Sequence, residues 1–289
     1  MTSIIKYSNS PIDNSVRLII KNGVDEKSLI EILKCEYDTL WLYSGNYSAM
    51  AMAKLSEIAI NKLRINVLES QDLSWVENCV LLKSLSIRGR IKGKIDFSKL
   101  KNLITCELDW CASTKSVISS QLPLKTLSLR KYSGSLKDFS PKTASSLSVL
   151  GLTGGMNTME GVAAFSRLEA LSLWNMKNLT DISELSKCKS LSKLQIEACK
   201  KIEYKNTLKK LKKLETIFFE NKSLSSLNCF PKENLKYIRL GDSTVIEDND
   251  IEAVLEFPML ESMSFSKKKG YKYSAEEINS MLNEREKKI

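Results

Sequence analysis

Residues Leu168–Ile202 read LEALSLWNMKNLTDISELSKCKSLSKLQIEACKKI, and this stretch decides the fold. Within it Leu168, Leu171 and Leu173 recur as Leu191, Leu194 and Ile196, 23 residues further on and with the same internal spacing. Working outward, the second and third members of this triplet fall at Leu18/Ile20, Leu40/Leu42, Leu63/Ile65 and Leu85/Ile87. They continue at Cys106/Leu108, Leu127/Leu129, Leu150/Leu152, Leu171/Leu173, Leu194/Ile196, Ile217/Phe219, Ile238/Leu240 and Met263/Phe265. These are twelve units, spaced 21 to 25 residues apart. A period of that size held along a whole chain marks a repeat architecture.

Apolar residues at alternate positions are the period of a strand with one buried face. A unit this short cannot bury its own leucines, so stacked neighbours supply the core. Each strand is expected to lie parallel to the next, about 4.8 Å away. The rest of each unit must return to start the next strand. Asp25–Leu33 and Ser48–Ile60 read as helical returns, with Ile251–Leu255 and Thr207–Leu211 as shorter ones. Pro123, Pro141, Pro231 and Pro258 mark returns expected to be irregular or 3₁₀. The fold class is therefore α/β: a right-handed solenoid, a horseshoe of about twelve short parallel strands on its concave face, with short helices and turns on the convex side.

The ends read as caps. Residues 1–14 are polar and expected to be irregular, leading into a first strand at Ser15–Ile20. Ser274 followed by Glu277 is a capping box. It opens an expected final helix, 275–287, whose Ile278 and Leu282 close the last strand. No linker interrupts the pattern, so residues 1–289 are expected to form a single domain: 1–35 the N-terminal cap and first unit, 36–266 the repeats, 267–289 the C-terminal cap.

On these residues the chain resembles the leucine-rich repeat family. Leu168, Leu171 and Leu173 followed by Asn178-Leu179-Thr180-Asp181-Ile182 look like one such unit. Cys188, Leu191, Leu194, Ile196, Cys199 and Ile202 are similar to the cysteine-containing variant of these short repeats, which also occur in a bacterial type. The likeness covers roughly Ser15–Ser266. Members often carry Asn or Cys three residues after the third leucine, as a side-chain ladder along the turn. Cys111 and Cys199 fit, whereas Gly45, Arg90, Tyr132, Met176 and Lys222 depart from it. The resemblance implies a binding scaffold and does not name what is bound.

Composition removes several function classes. The 289 residues include no histidine, which excludes histidine general bases, Ser-His and Cys-His nucleophile pairs and histidine metal ligands. Seven cysteines without close pairs favour small buried hydrophobes over disulfides or zinc, and a reducing, cytoplasmic compartment. No apolar run reaches the roughly 18 residues of a membrane span, and the N-terminus does not read as a secretory signal. The net charge of +10 fits acidic partners and solubility equally. Ten lysines crowd Lys187–Lys213, but mostly on return segments and without interleaved aromatics, which reads as a solvated face rather than a nucleic-acid surface. Gly151, Gly154 and Gly155 lack the phosphate-loop pattern. Glu107 and Asp109 share the expected concave face, with Arg88 and Arg130 at the position of Asp109 in the adjoining units. That reads as an Arg-Asp-Arg salt-bridge row rather than acid-base chemistry. No catalysis, cofactor or metal is expected.

The concave face is the functional candidate. Exposed Trp, Tyr and Arg are the residue types that dominate binding hot spots. Here they form two groups: Trp41 with Tyr43, and Trp174, Phe218, Tyr237 and Arg239, with Trp110 between. Together with Arg88, Asp109 and Arg130 they are the expected partner-binding residues. The expected function is non-enzymatic recognition of a partner protein, one version being an inhibitor or immunity-type protein, by a chain that is monomeric on its own. The alternatives are an adaptor or substrate-recognition subunit and a basic-surface binder of nucleic acid or membrane.

Overall fold

The structure, a computed structural model, describes residues 4–9, 14–34, 36–45 and 49–286. The chain forms two compact units: the first runs to Arg130 and takes in Asp138–Ser146, the second comprises Lys131–Lys137 and Leu147 onward.

In the first unit, β1 (Ile4–Asn9) and β2 (Val16–Lys21) form an antiparallel pair. From β2 the ladder continues in parallel through β3 (Thr39–Tyr43), β4 (Lys62–Asn66), β5 (Ser84–Arg88), β6 (Thr105–Asp109) and β7 (Thr126–Tyr132), whose residues up to Arg130 belong to this unit. In the second unit β8 (Val149–Gly154), β9 (Ala170–Trp174), β10 (Lys193–Glu197), β11 (Thr216–Glu220), β12 (Tyr237–Leu240) and β13 (Ser262–Ser264) pair in parallel. The register is the one the triplets demand: Leu171 stands beside Leu194, and Leu173 beside Ile196. Leu18, Leu40, Leu42, Leu108, Leu127, Leu129, Leu150 and Leu173 are fully buried. Each buried leucine contributes about 1.5–3 kcal/mol. Exposed ion pairs such as Lys212–Glu233 (2.6 Å) and Lys232–Glu256 (2.5 Å), which tie one repeat to the next, contribute about 0–1 kcal/mol. The leucines therefore set the ladder and the ion pairs trim it.

The returns follow their sequences closely but not everywhere. Helices α1 (Glu26–Lys34) and α2 (Ala49–Ser56) lie where apolar spacing places them. A third, α3 (Ser116–Ser119), is a single turn. Pro141 does not break its return but opens α4 (Pro141–Ser146). Proline suits the first helical position, where its missing N–H costs nothing, and Ser140 Oγ caps the turn by accepting from the Thr143 amide. The return at 207–211 starts two residues early, as α5 (Lys205–Leu208), and Ile251–Leu255 becomes a 3₁₀ turn, Glu252–Glu256. The N-terminal segment is likewise not irregular throughout. Ile4 and Ile5 belong to β1, which covers the outer edge of β2 in the register Ile5↔Ile20 and Tyr7↔Leu18. The twelfth unit is shortened: Phe265 lies beyond β13, half-buried, with its ring edge-on to Tyr271 at 5.9 Å.

Helix α6 (Ala275–Glu286) takes the place of a further strand. The capping box is made: the Ser274 amide donates to Glu277 Oε2 (2.6 Å) and the Glu277 amide to Ser274 Oγ (3.3 Å). Ile278 and Leu282 are buried. Asn279 then addresses the edge of β13, accepting from Met263 N (2.8 Å) and donating to Met263 O (3.0 Å). Arg285 donates to the carbonyls of Leu255, Phe257 and Leu260 at 2.8–3.1 Å. Asn279→Ala removes both hydrogen bonds to Met263. It should lower stability by about 1–3 kcal/mol, seen as a lower urea midpoint and faster amide exchange in β13.

Gly154 ends β8 with φ +144°, and a Cβ there would sit 2.2 Å from the Tyr132 carbonyl oxygen and 2.5 Å from its amide nitrogen. Gly155 has no such constraint; its Cβ would meet only the Asn178 side chain at 3.6 Å. Gly154→Ala should cost about 1–3 kcal/mol in a denaturation series, while Gly155→Ala stays within about 0.5 kcal/mol of the parent.

Candidate functional site

Along each strand the buried leucines alternate with residues that point to the opposite, open face. On the first unit this face presents Trp41, Arg64, Ser86 and Glu107 in one row of register partners. Trp41 and Tyr43 meet edge to face, ring centroids 5.8 Å apart. The Trp41 indole N–H donates to Asn66 Oδ1 (2.8 Å). Arg64 lies over the Trp41 ring at 4.5 Å and Lys21 over the Tyr43 ring at 5.5 Å. Both aromatics are thus half-buried beneath cations rather than open to a partner.

The charged residues on the next strands are arranged differently from a simple Arg-Asp-Arg row. Arg88 pairs with Glu107 Oε1 (2.9 Å) rather than completing a row through Asp109. Arg130 grips both acids: its Nη1 donates to Glu107 and its Nε to Asp109 Oδ1 (2.5 Å). Its Nη2 donates to the Ile87 carbonyl (3.0 Å). Asp109 Oδ2 accepts from the Gly89 amide (3.1 Å), so this acid also holds the turn after β5. The longer Glu107 side chain, one row across, reaches the arginines on both sides. Burial opposes its charge, but the hydrogen bond from Arg88 and the charges of Arg130 and Arg88 outweigh this and hold its pKa below the ordinary value. Trp110 follows β6 in the turn, half-buried, its amide donating to the Arg130 carbonyl (2.8 Å).

The second unit carries the more open surface. Trp174 on β9 is 49% exposed and Tyr237 on β12 is 44% exposed. Phe218 on β11 is half-buried, with the Arg239 guanidinium 5.1 Å from its ring centroid. Tyr237 donates its hydroxyl hydrogen to Glu261, which raises the phenol pKa. Phe218 and Arg239 are register partners, and Tyr237 shares their face two residues before Arg239. Trp174 is the register partner of Glu197, which in turn stands beside Glu220. At the end of that row lies a hollow of about 400 Å³ lined by Glu197, Ala198, Lys200, Glu220, Asn221 and Ser243. Trp174, Phe218, Tyr237 and Arg239 therefore share the face of four successive strands.

Arg64, central to the face, was not singled out by sequence; it stands beside Trp41 in a row that also holds Glu107, and that shared row was the available signal. Among the described residues, Cys79, Cys106, Cys188, Cys199 and Cys229 are buried and serve the fold. Burial pushes the Cys79 and Cys229 thiols up to about 12 and Cys188 up to about 11. Cys199 sits on the turn, its amide donating to Asn221 Oδ1 (2.8 Å), so an asparagine side chain continues the turn ladder there. A second hollow, about 620 Å³, lies on the return side of the first unit between α2 and the 3₁₀ turn Ser74–Asn78. Its acids already serve the fold: Glu77 pairs with Lys99 (2.6 Å) and Asp72 caps Ser74 (2.8 Å). Among the described residues no helix is long and apolar enough to cross a membrane.

No family model and no curated protein matches the sequence. Solved structures do. An internalin from Listeria monocytogenes is 17% identical, with 89% of this chain and 83% of that chain covered and a TM-score of 0.57. Toll, in the Toll–Spatzle complex from Drosophila, is 15% identical over 87% of this chain, which spans 40% of that one, with a TM-score of 0.61. A leucine-rich repeat protein from Leptospira interrogans is 16% identical, with 85% of this chain and 76% of that chain covered and a TM-score of 0.40. These are likenesses of fold. Repeat spacing, parallel register and fold likeness agree, and the chain is by its fold a leucine-rich repeat protein.

Proposed function

We propose that this chain is a non-catalytic scaffold that binds a partner protein through the open strand face, with the second unit supplying the aromatic anchor. One observation carries the reading: Trp174 and Tyr237 stand uncovered on a face they share with Phe218 and Arg239. A large aromatic gains by leaving water, and Trp, Tyr and Arg at the centre of a contact supply most binding energy. The hollow beside Glu197 and Glu220 adds a recess for a partner side chain. That the similar Toll structure is a complex with Spatzle is consistent with this use of the fold. An inhibitor that occludes an enzyme and an adaptor that presents a substrate are both versions of this reading. The six described cysteines are unpaired, which supports a reducing, cytoplasmic setting.

The test is affinity capture from cells that express the chain, followed by quantitative binding of the captured protein. Trp174→Ala with Phe218→Ala should weaken binding by about 2 kcal/mol or more, roughly thirtyfold, with an unchanged urea midpoint. Binding equal to the parent's would place the contact elsewhere. Inhibition of a captured enzyme at one-to-one stoichiometry would select the inhibitor version over the adaptor.

A further inference from the structure

The open face of the first unit has a charge pattern that the fold itself does not balance. Its rows carry Lys62, Arg64, Arg88 and Arg130 against two acids, Glu107 and Asp109. Both acids are already engaged by Arg130, and Glu107 by Arg88 as well. Arg64 is left over. It lies on the Trp41 ring, and its Nε is buried without a hydrogen-bond partner. Burial and then the charge of Arg88 lower its pKa, so its surroundings disfavour its charge. The buried Nε is out of an incoming ligand's reach, but a guanidinium held on an aromatic among cationic neighbours, with no ion pair among the described residues, is placed to take an anion through its Nη atoms.

The basic character continues off the edge of the face. Arg88-Gly-Arg90-Ile-Lys92-Gly-Lys94 leaves β5, with the Arg90, Lys92 and Lys94 side chains exposed and making no ion pair among the described residues. Gly89 and Gly93 have φ of +109° and +73°. These backbone positions favour glycine and fix the path of the basic segment, whose Ile91–Lys92 pairs in parallel with Gln71–Asp72, so that Asp72 is the acid beside this edge strand. The segment's first residue remains on the face while Arg90 and Lys92 extend beyond it.

We propose that this basic face and edge form the docking site for an acidic segment of the partner protein, with Arg64, Arg90 and Lys92 taking its carboxylates. The proposal rests on the protein-binding reading above and specifies the partner's chemistry. Discrete carboxylates suit the surface better than a phosphate backbone. Glu107 and Asp109 interrupt the run of cations, so a continuous polyanion would have to pass over them. Trp41 and Tyr43 lie beneath Arg64 and Lys21, so neither ring is open to stack a base. Arginine also forms bidentate pairs with carboxylates.

The test uses the full chain and three fluorescent probes: a short glutamate-rich peptide, a single-stranded RNA of similar length, and vesicles of phosphatidylcholine with phosphatidylserine. The peptide should bind best, with affinity falling steeply between about 50 and 200 mM salt. Arg64→Gln/Arg90→Gln/Lys92→Gln should weaken it about tenfold or more. Lys209→Gln/Lys210→Gln/Lys213→Gln, on a return of the second unit, should not change it. Arg90→Gln/Lys92→Gln, which alters only exposed residues, gives the same sign if the triple variant folds poorly. Tighter binding of RNA or vesicles, or parental peptide affinity in both edge variants, overturns the proposal. The Trp174→Ala/Phe218→Ala variant separates the two readings, because it should lose the captured partner yet keep the peptide. If it keeps the captured partner, the aromatic anchor fails and the peptide result still decides the basic site.

Discussion

A repeat of some twenty residues cannot bury its own leucines. Each strand here exposes one apolar face that only neighbouring strands and their returns can cover, and parallel pairing is what brings that cover into place. The register is correspondingly unforgiving. A slip of one residue would carry Leu171 and Leu173 to the open side and bring Ser172 and Trp174 into the core. The same alternation that seals the interior therefore sets out, row by row, the residues of the open face. Core and open face are two readings of one period.

This explains how unevenly the sequence discloses the molecule. The strand pairs from Leu18/Ile20 to Ile238/Leu240 are legible because their signal is repeated and each copy supports the next. Elements that occur once are harder to see. The strand Ile4–Asn9 has no partner copy, and its role as a cover for β2 depends on an antiparallel turn back. Pro141 looks like a breaker until Ser140 is recognised as the cap before it. Asn279 and Arg285 are ordinary surface residues in a one-dimensional reading; only the placement of α6 aims them at the backbone of the last repeat.

The face was legible to the level of rows and no further. Sequence assigns Trp174, Phe218, Tyr237 and Arg239 to one side, and the structure keeps them there. It does not say which long side chain reaches which neighbour. Glu107 outcompetes Asp109 for Arg88 because it has one more methylene and stands in a different row, a matter of reach rather than spacing. Trp41 matches Trp174 in residue type and differs from it in standing: one lies beneath a guanidinium and the other stands open. Side chains of the same kind on the open faces of the two units thus differ in exposure because of their neighbours.

The end of the second unit has a bearing on how this chain behaves at high concentration. An exposed strand edge is a template on which other chains can add, and long parallel ladders are prone to such growth. The last strand, β13, is three residues long, and its middle residue, Met263, already has both backbone groups satisfied by one asparagine side chain. A single amide thus completes the final rung and leaves an incoming strand nothing there to pair with. The helix that follows is less an ornament of the fold than a guard against fibre growth from that edge.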